Sequence, residues 1–186
     1  MPDRREPPAG VLGVSRRPTR REWRRALVLF AVGMVGFVVV IAFVHPQVNL
    51  LTVGTKVPAV NLQSSTGTTV HPSGTTATGP YILEFFEAGC AHCQQVAGQL
   101  CGEKVPVFAV DAAKDSAATI NAYRQQYAPA CSYPMLLDPD LSASGAFGVS
   151  AVPTVYLVVD GRVAYAGAGL EGVSSLAAAV TKAIGG

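Results

Sequence analysis

Nineteen consecutive residues, A-L-V-L-F-A-V-G-M-V-G-F-V-V-V-I-A-F-V at 26–44, carry no charge, no polar side chain and no proline. At about 1.5 Å per residue, a helix of that length is roughly 28 Å long, close to the hydrocarbon thickness of a bilayer. A helix buried in a globular core is seldom apolar on every side over such a length. A cleaved signal peptide has an apolar stretch of roughly 7–15 residues and an A-x-A-like end, whereas this run ends A-F-V-H-P. The run is read as an uncleaved membrane anchor, so a folded domain must come from the residues after it. Arginine pairs at 16–17 and 20–21 resemble a twin-arginine signal, but prolines and polar residues separate them from the apolar run.

The anchor also divides the charge. Residues 1–25 hold eight arginines and three acidic side chains, a balance of +5. From residue 26 onward there are six basic and nine acidic side chains, a balance of −3. The basic segment, rich in Arg and Pro and without apolar periodicity, is expected to be a disordered cytoplasmic tail. Arginines on that flank keep it in the cytoplasm, and Trp23 suits the headgroup layer. The expected topology is a single pass through the cell membrane with the C-terminal domain outside the cytoplasm, where disulfides persist. An acidic outer domain offers no nucleic-acid surface.

Residues 45–56 read as a tether and 57–186 as one α/β domain. Apolar residues make up 49% of the chain and charged ones 14%, so a core can form. A strand candidate, V-P-A-V-N-L-Q, lies within 57–79 and precedes a hairpin turn expected at Ser73-Gly74. From Pro80 the chain alternates. Strands are expected at 81–87, 105–111, 134–138, 154–160 and 162–166, and helices at 91–100, 115–128 and 172–184. This order describes a central mixed β-sheet with helices on both faces.

Cys90 and Cys93 fall where the first central strand gives way to its helix. The carboxyl end of a strand in an open α/β sheet is the usual seat of chemistry. Unpaired N–H groups and the positive dipole end of a starting helix favour a thiolate at Cys90, and a cationic His92 adds to this. Lowering a cysteine pKa from about 8.5 to about 6 takes roughly 3.4 kcal/mol. Rival readings of C-x-x-C fare worse. A c-type haem anchor wants His directly after the second cysteine, where Gln94 stands. A structural zinc site wants four ligands, and Cys101 and Cys131 are irregularly spaced for it. A structural disulfide closing so short a loop gains little. The pair is read as a redox-active dithiol that needs no further cofactor or metal.

The outer domain, roughly 54–184, resembles the thioredoxin-like superfamily, in particular its membrane-anchored TlpA/ResA-type redoxins. The resemblance rests on G-T-K-V-P-A-V-N-L (54–62), L-L-D-P-D (136–140) and G-V-S-A-V-P-T-V-Y-L-V-V-D-G-R-V (148–163). The stretch L-E-F-F-E-A-G-C-A-H-C (83–93) is similar instead to DsbA-type oxidases, although the 59 residues between Cys93 and Pro153 leave no room for their helical insertion. Gly89 replaces the bulky aromatic found before the first cysteine in both branches, and Ala91 replaces a proline.

What the resemblance implies is specific. Pro153 is the cis-proline facing the cysteines, and the backbone of Val152 pairs with a bound substrate chain. Glu84 is the buried carboxylate beneath the pair and accepts a proton from Cys93. From its place at the helix start, independently of the resemblance, Cys90 is read as the nucleophile, and Cys93 resolves the mixed disulfide. Cys101 and Cys131 are both expected at the opposite end of the sheet, as a structural disulfide or, alternatively, a second redox pair.

The expected function is exchange of disulfides with protein cysteines, with a membrane partner supplying electrons. The TlpA/ResA-like frame favours reduction, and the DsbA-like stretch leans toward oxidation. A peroxiredoxin-type peroxidase is one alternative, but it wants Thr or Ser three residues before its cysteine, and Glu87 stands there. A copper metallochaperone using Cys90 and Cys93 is another.

Overall fold

The computed structural model describes residues 20–44, 49–72 and 79–185, except the side chains of 39–44. The chain divides into two units, Met1–His45 and Pro46–Gly186. Within the first, helix α1 spans Arg20–Val44, so the backbone is helical along the whole apolar run. Its side chains from Leu27 to Val38 include nine large apolar groups that are exposed. Among the described residues no helix is long and apolar enough to cross a membrane. The described side chains of α1 stop at residue 38, and its first six residues include four arginines and a glutamate. The tail expected at 1–25 lies outside the described residues up to 19.

The second unit is built on a sheet of seven strands among the described residues. They are β1 Leu62–Ser64, β2 Thr69–Val70, β3 Tyr81–Phe86, β4 Val107–Asp111, β5 Met135–Leu137, β6 Thr154–Val159 and β7 Arg162–Ala168, in the order β2-β1-β5-β4-β3-β6-β7. Strands β3, β4 and β5 run parallel, and the remaining pairs are antiparallel. All six residues of β3 are buried, which explains why this strand reads as an apolar run without alternation. The pleat still sorts them. Ile82 and Phe86 enter one core with Cys93, Ile120, Tyr123 and Leu176, while Tyr81, Leu83 and Phe85 enter the other with Phe147 and Tyr156.

Helices α2 Ala91–Val96, α3 Ala117–Tyr127 and α5 Gly169–Ile184 supply the first core, and α4 Ser142–Ala146 the second. Aromatic rings lock both. Phe86 and Tyr123 have centroids 4.9 Å apart, and Phe85, Phe147 and Tyr156 form a triangle with sides of 5.3, 5.4 and 6.1 Å. Each fully buried aliphatic or Phe side chain of this kind contributes about 1.5–3 kcal/mol.

Two local expectations change, and a third falls outside the described residues. The helix expected at 91–100 is α2 alone, followed by a tight 3₁₀ turn at Gln99–Gly102. The described hairpin pairs Leu62 with Val70 and turns through 65–68, with Gly67 at φ 88°, whereas Ser73-Gly74 lies outside the described residues. The domain also begins before 57. Gly54 N–H donates to Val163 O at 2.7 Å, Val57 N–H to Gly161 O at 3.0 Å, and Leu51 N–H to the Tyr156 hydroxyl at 3.2 Å. The later part of the expected tether is thus bonded along β6 and β7.

Cys101 and Cys131 are joined by a disulfide, with Cα atoms 4.8 Å apart and a sequence separation of 30. Closing a loop of that length is worth about 3–4 kcal/mol in the chain-entropy model. With each sulfur bonded to the other, neither is a free thiolate ligand for zinc. Tyr133 lies beside this bridge in sequence, and its hydroxyl donates to Ala97 O at 3.0 Å, fastening the end of α2.

Candidate active site

Strand β3 ends at Phe86, and three residues, Glu87 to Gly89, carry the chain to Cys90. Cys90 is the N-cap of α2, with extended backbone (φ −81°, ψ 118°), and its Sγ accepts the N–H of Cys93 at 3.4 Å. A sulfur takes the place that a Ser or Asp oxygen commonly fills at a helix start. Cys90 is half-buried and Cys93 is fully buried, and both are free. Burial, reinforced by the hydrogen bond with Cys90, pushes the Cys93 thiol well up. The two sulfurs therefore differ in kind: one reachable, the other dry and held protonated.

The Val152–Pro153 peptide is cis, and Cys90 Sγ lies 3.8 Å from Val152 O in donor geometry. Residues 62 positions apart in the sequence thus meet at the carboxyl end of β3. His92 lies in the first turn of α2 with its side chain exposed. Among the described residues it makes no hydrogen bond to either sulfur.

Glu84 lies two residues before Phe86 on the α2 side of β3 and is 2% exposed. Burial raises its carboxyl pKa from 4.5 to about 8. Among the described residues its Oε1 has no hydrogen-bond partner, and its charge bears on Cys93, Tyr123 and Tyr133. A protonated carboxyl beneath a buried thiol at neutral pH is a proton store. Tyr123, whose phenol is pushed up chiefly by burial, donates its hydroxyl to Cys93 O at 2.9 Å and fixes the helix turn that carries the second sulfur.

Sequence reading missed the fastening of the loop before Cys90. Ala88 N–H donates to Asp115 Oδ2 at 3.1 Å, and Gln94 Nε2 donates to Ala88 O at 2.9 Å. Asp115 is placed by its own N–H on Asp111 Oδ2 at 2.8 Å. Asp111, buried at the end of β4, has its carboxyl pushed up to about 6 chiefly by burial. The acidic end of that strand was visible in the sequence. The backbone partner of Asp115, the Ala88 N–H 27 residues away, was not.

A thioredoxin-like α/β sheet with a dithiol at the start of its first central helix, opposite a cis-proline, defines the class. Residues 53–166 match the AhpC/TSA family, and the chain belongs to it. It is a thioredoxin-like oxidoreductase. No curated protein matches the chain. Among solved structures it is similar to MTB dsbF, in mixed oxidized and reduced forms (24% identity, TM-score 0.59, covering 68% of this chain and 98% of that one). A Chlorobium tepidum protein assigned as the thiol:disulfide interchange protein DsbE is 22% identical (TM-score 0.60, 72% and 99%). Peroxidoxin BcpB from Mycobacterium tuberculosis is 18% identical (TM-score 0.59, 73% and 97%). At these identities the likeness speaks for the fold.

Proposed function

We propose that the protein is a membrane-anchored, TlpA/ResA-type disulfide reductase acting on protein cysteines outside the cytoplasm. The observation that carries the chemistry is the asymmetry of the two sulfurs, with Cys90 half-buried beside Val152 and Cys93 buried over Glu84. Cys90, as thiolate, attacks one sulfur of a substrate disulfide. That bond breaks, the leaving sulfur departs as a thiolate, and a mixed disulfide with Cys90 forms. Cys93 gives its proton to Glu84 in the fraction of molecules whose carboxylate is ionised, a fraction that grows as the pH rises toward about 8, and attacks Cys90 Sγ, releasing the second substrate thiolate. Two electrons have passed to the substrate, leaving a Cys90–Cys93 disulfide for a membrane partner to reduce. Val152 and Pro153 align the incoming chain.

Reduction is favoured because the TlpA/ResA-like stretches cover far more of the chain than the DsbA-like one. At equilibrium with glutathione, the Cys90–Cys93 couple should lie near about −270 mV. A value near about −120 mV would make the protein an oxidase. The peroxidase reading draws on the family match and the likeness to a peroxidoxin. Against it, Glu87 occupies the place three residues before Cys90 and Cys93 follows within one turn. Rapid thiol-dependent consumption of hydrogen peroxide would restore it. A copper-carrying role would rest on Cys90 and Cys93, since no group of three or more His, Cys, Asp or Glu side chains gathers among the described residues.

The anchor reading draws on the uncharged run at 26–44, its helical backbone and the exposed apolar side chains from Leu27 to Val38. A surface that apolar is unstable in water. The full chain should stay with membranes through an alkaline carbonate wash, and release by that wash would rule out a spanning helix.

A further inference from the structure

Glu87, Ala112, Leu141, Ala151 and Val152 are among the residues that line a cavity of about 330 Å³. Val152 joins this cavity to the chemistry, because its carbonyl is the one 3.8 Å from Cys90 Sγ. Glu87 joins it too, its own carbonyl accepting the N–H of Cys90 at 3.2 Å. Every other residue lining the cavity is apolar or a small Ser or Gly, so Glu87 is its single ionisable group. The Glu87 side chain is exposed, and among the described residues no cation pairs with it.

Gly89 matters here by what it omits. The Glu87 carboxylate lies over this position, since a Cβ here would meet Glu87 Oε1 at 3.7 Å. Asp115, which holds the Ala88 peptide, adds negative charge on the same edge of the sheet. A substrate segment lying against Val152 with its sulfur on Cys90 borders a cavity whose lining includes this carboxylate.

We propose that Glu87 sets substrate preference, selecting disulfides whose reacting cysteine is flanked by a Lys or Arg side chain that fits the cavity and pairs with the Glu87 carboxylate. This rests on the disulfide-exchange reading and extends it to the class of protein segment taken. A solvent-facing ion pair of this kind shifts a rate constant modestly, and salt weakens it.

The test uses the full chain and two disulfide-linked peptides identical except for Lys or Glu beside the cysteine. At low salt the wild type should reduce the Lys peptide with a kcat/KM about three- to fivefold above the Glu peptide. The ratio should fall toward one at high salt. Glu87→Gln should bring the low-salt ratio near one, and Glu87→Lys should invert it. Because each ratio is taken within one variant, a change in overall rate does not disturb it. Equal rates for both peptides in the wild type, or an unchanged ratio in Glu87→Gln, overturn the assignment and leave disulfide exchange standing. If the wild type reduces neither peptide nor glutathione disulfide, the exchange reading itself fails, and the assignment with it.

Discussion

Cys93→Ser should turn the protein into a covalent trap. Cys90 still attacks a substrate disulfide in this variant, but no sulfur remains to resolve the bond. A Cys90-linked partner adduct should then accumulate on non-reducing gels and disappear on reduction. Cys90→Ser should form no adduct and lose disulfide reductase activity by at least about a thousandfold, since the nucleophile itself is gone. The difference follows from exposure: Cys90 is half-buried and Cys93 has no accessible surface. Adducts formed through Cys101 or Cys131 would reverse the assignment. Those sulfurs are tied to each other at the far end of α2, so they should stay silent.

The second large effect belongs to Glu84 and appears in stability against pH. Its carboxyl titrates at 4.5 when exposed and at about 8 in the fold. Between those values the folded protein holds a proton that the unfolded chain releases, so raising the pH favours unfolding. Stability from this group is complete below pH 4.5 and is lost as the pH rises through about 8. Over that interval, at 1.36 kcal/mol per pH unit, the loss comes to about 4–5 kcal/mol. Asp111, raised to about 6, loses its share at lower pH, and Cys93 begins to count only above its ordinary value of 9.0. The window from pH 6 to 8.5 is therefore dominated by Glu84, with a fall of roughly 2–3 kcal/mol.

Denaturant titrations should show that fall in the wild type and its absence in Glu84→Gln, which keeps the shape and removes the charge. The same variant should slow resolution of the mixed disulfide by about a hundredfold or more, the usual scale for a lost proton acceptor. A wild-type stability that is level across this window would mean the carboxyl is not protonated in the fold.

How far the sequence reached depends on how local each cause is. Strand β3 was legible because a strand covered on both faces must be apolar throughout, and Glu84 stood out as its one charge. The place of Cys90 followed from the change of pattern at Phe86. Helix α4 was not legible, because S-A-S-G-A has no apolar periodicity. Its start is held by the buried Asp138 carboxylate, which accepts the N–H groups of Ala143 and Ser144. The early start of the domain was hidden too, since residues 51–57 are held by bonds to Tyr156, Gly161 and Val163 about a hundred residues away. Asp115 and Gln94 escaped for the same reason. Each acts on a main-chain atom, and main-chain atoms leave no mark in a pattern of side chains.

The Ala88 peptide is gripped at both of its polar ends, by Asp115 and by Gln94. The approach to the reactive sulfur is thus a mould set before any visitor arrives, with little left in it to freeze. The disorder surrendered on docking is then the visitor's own, so a partner already stiffened around its cystine should seat with less loss than a slack one.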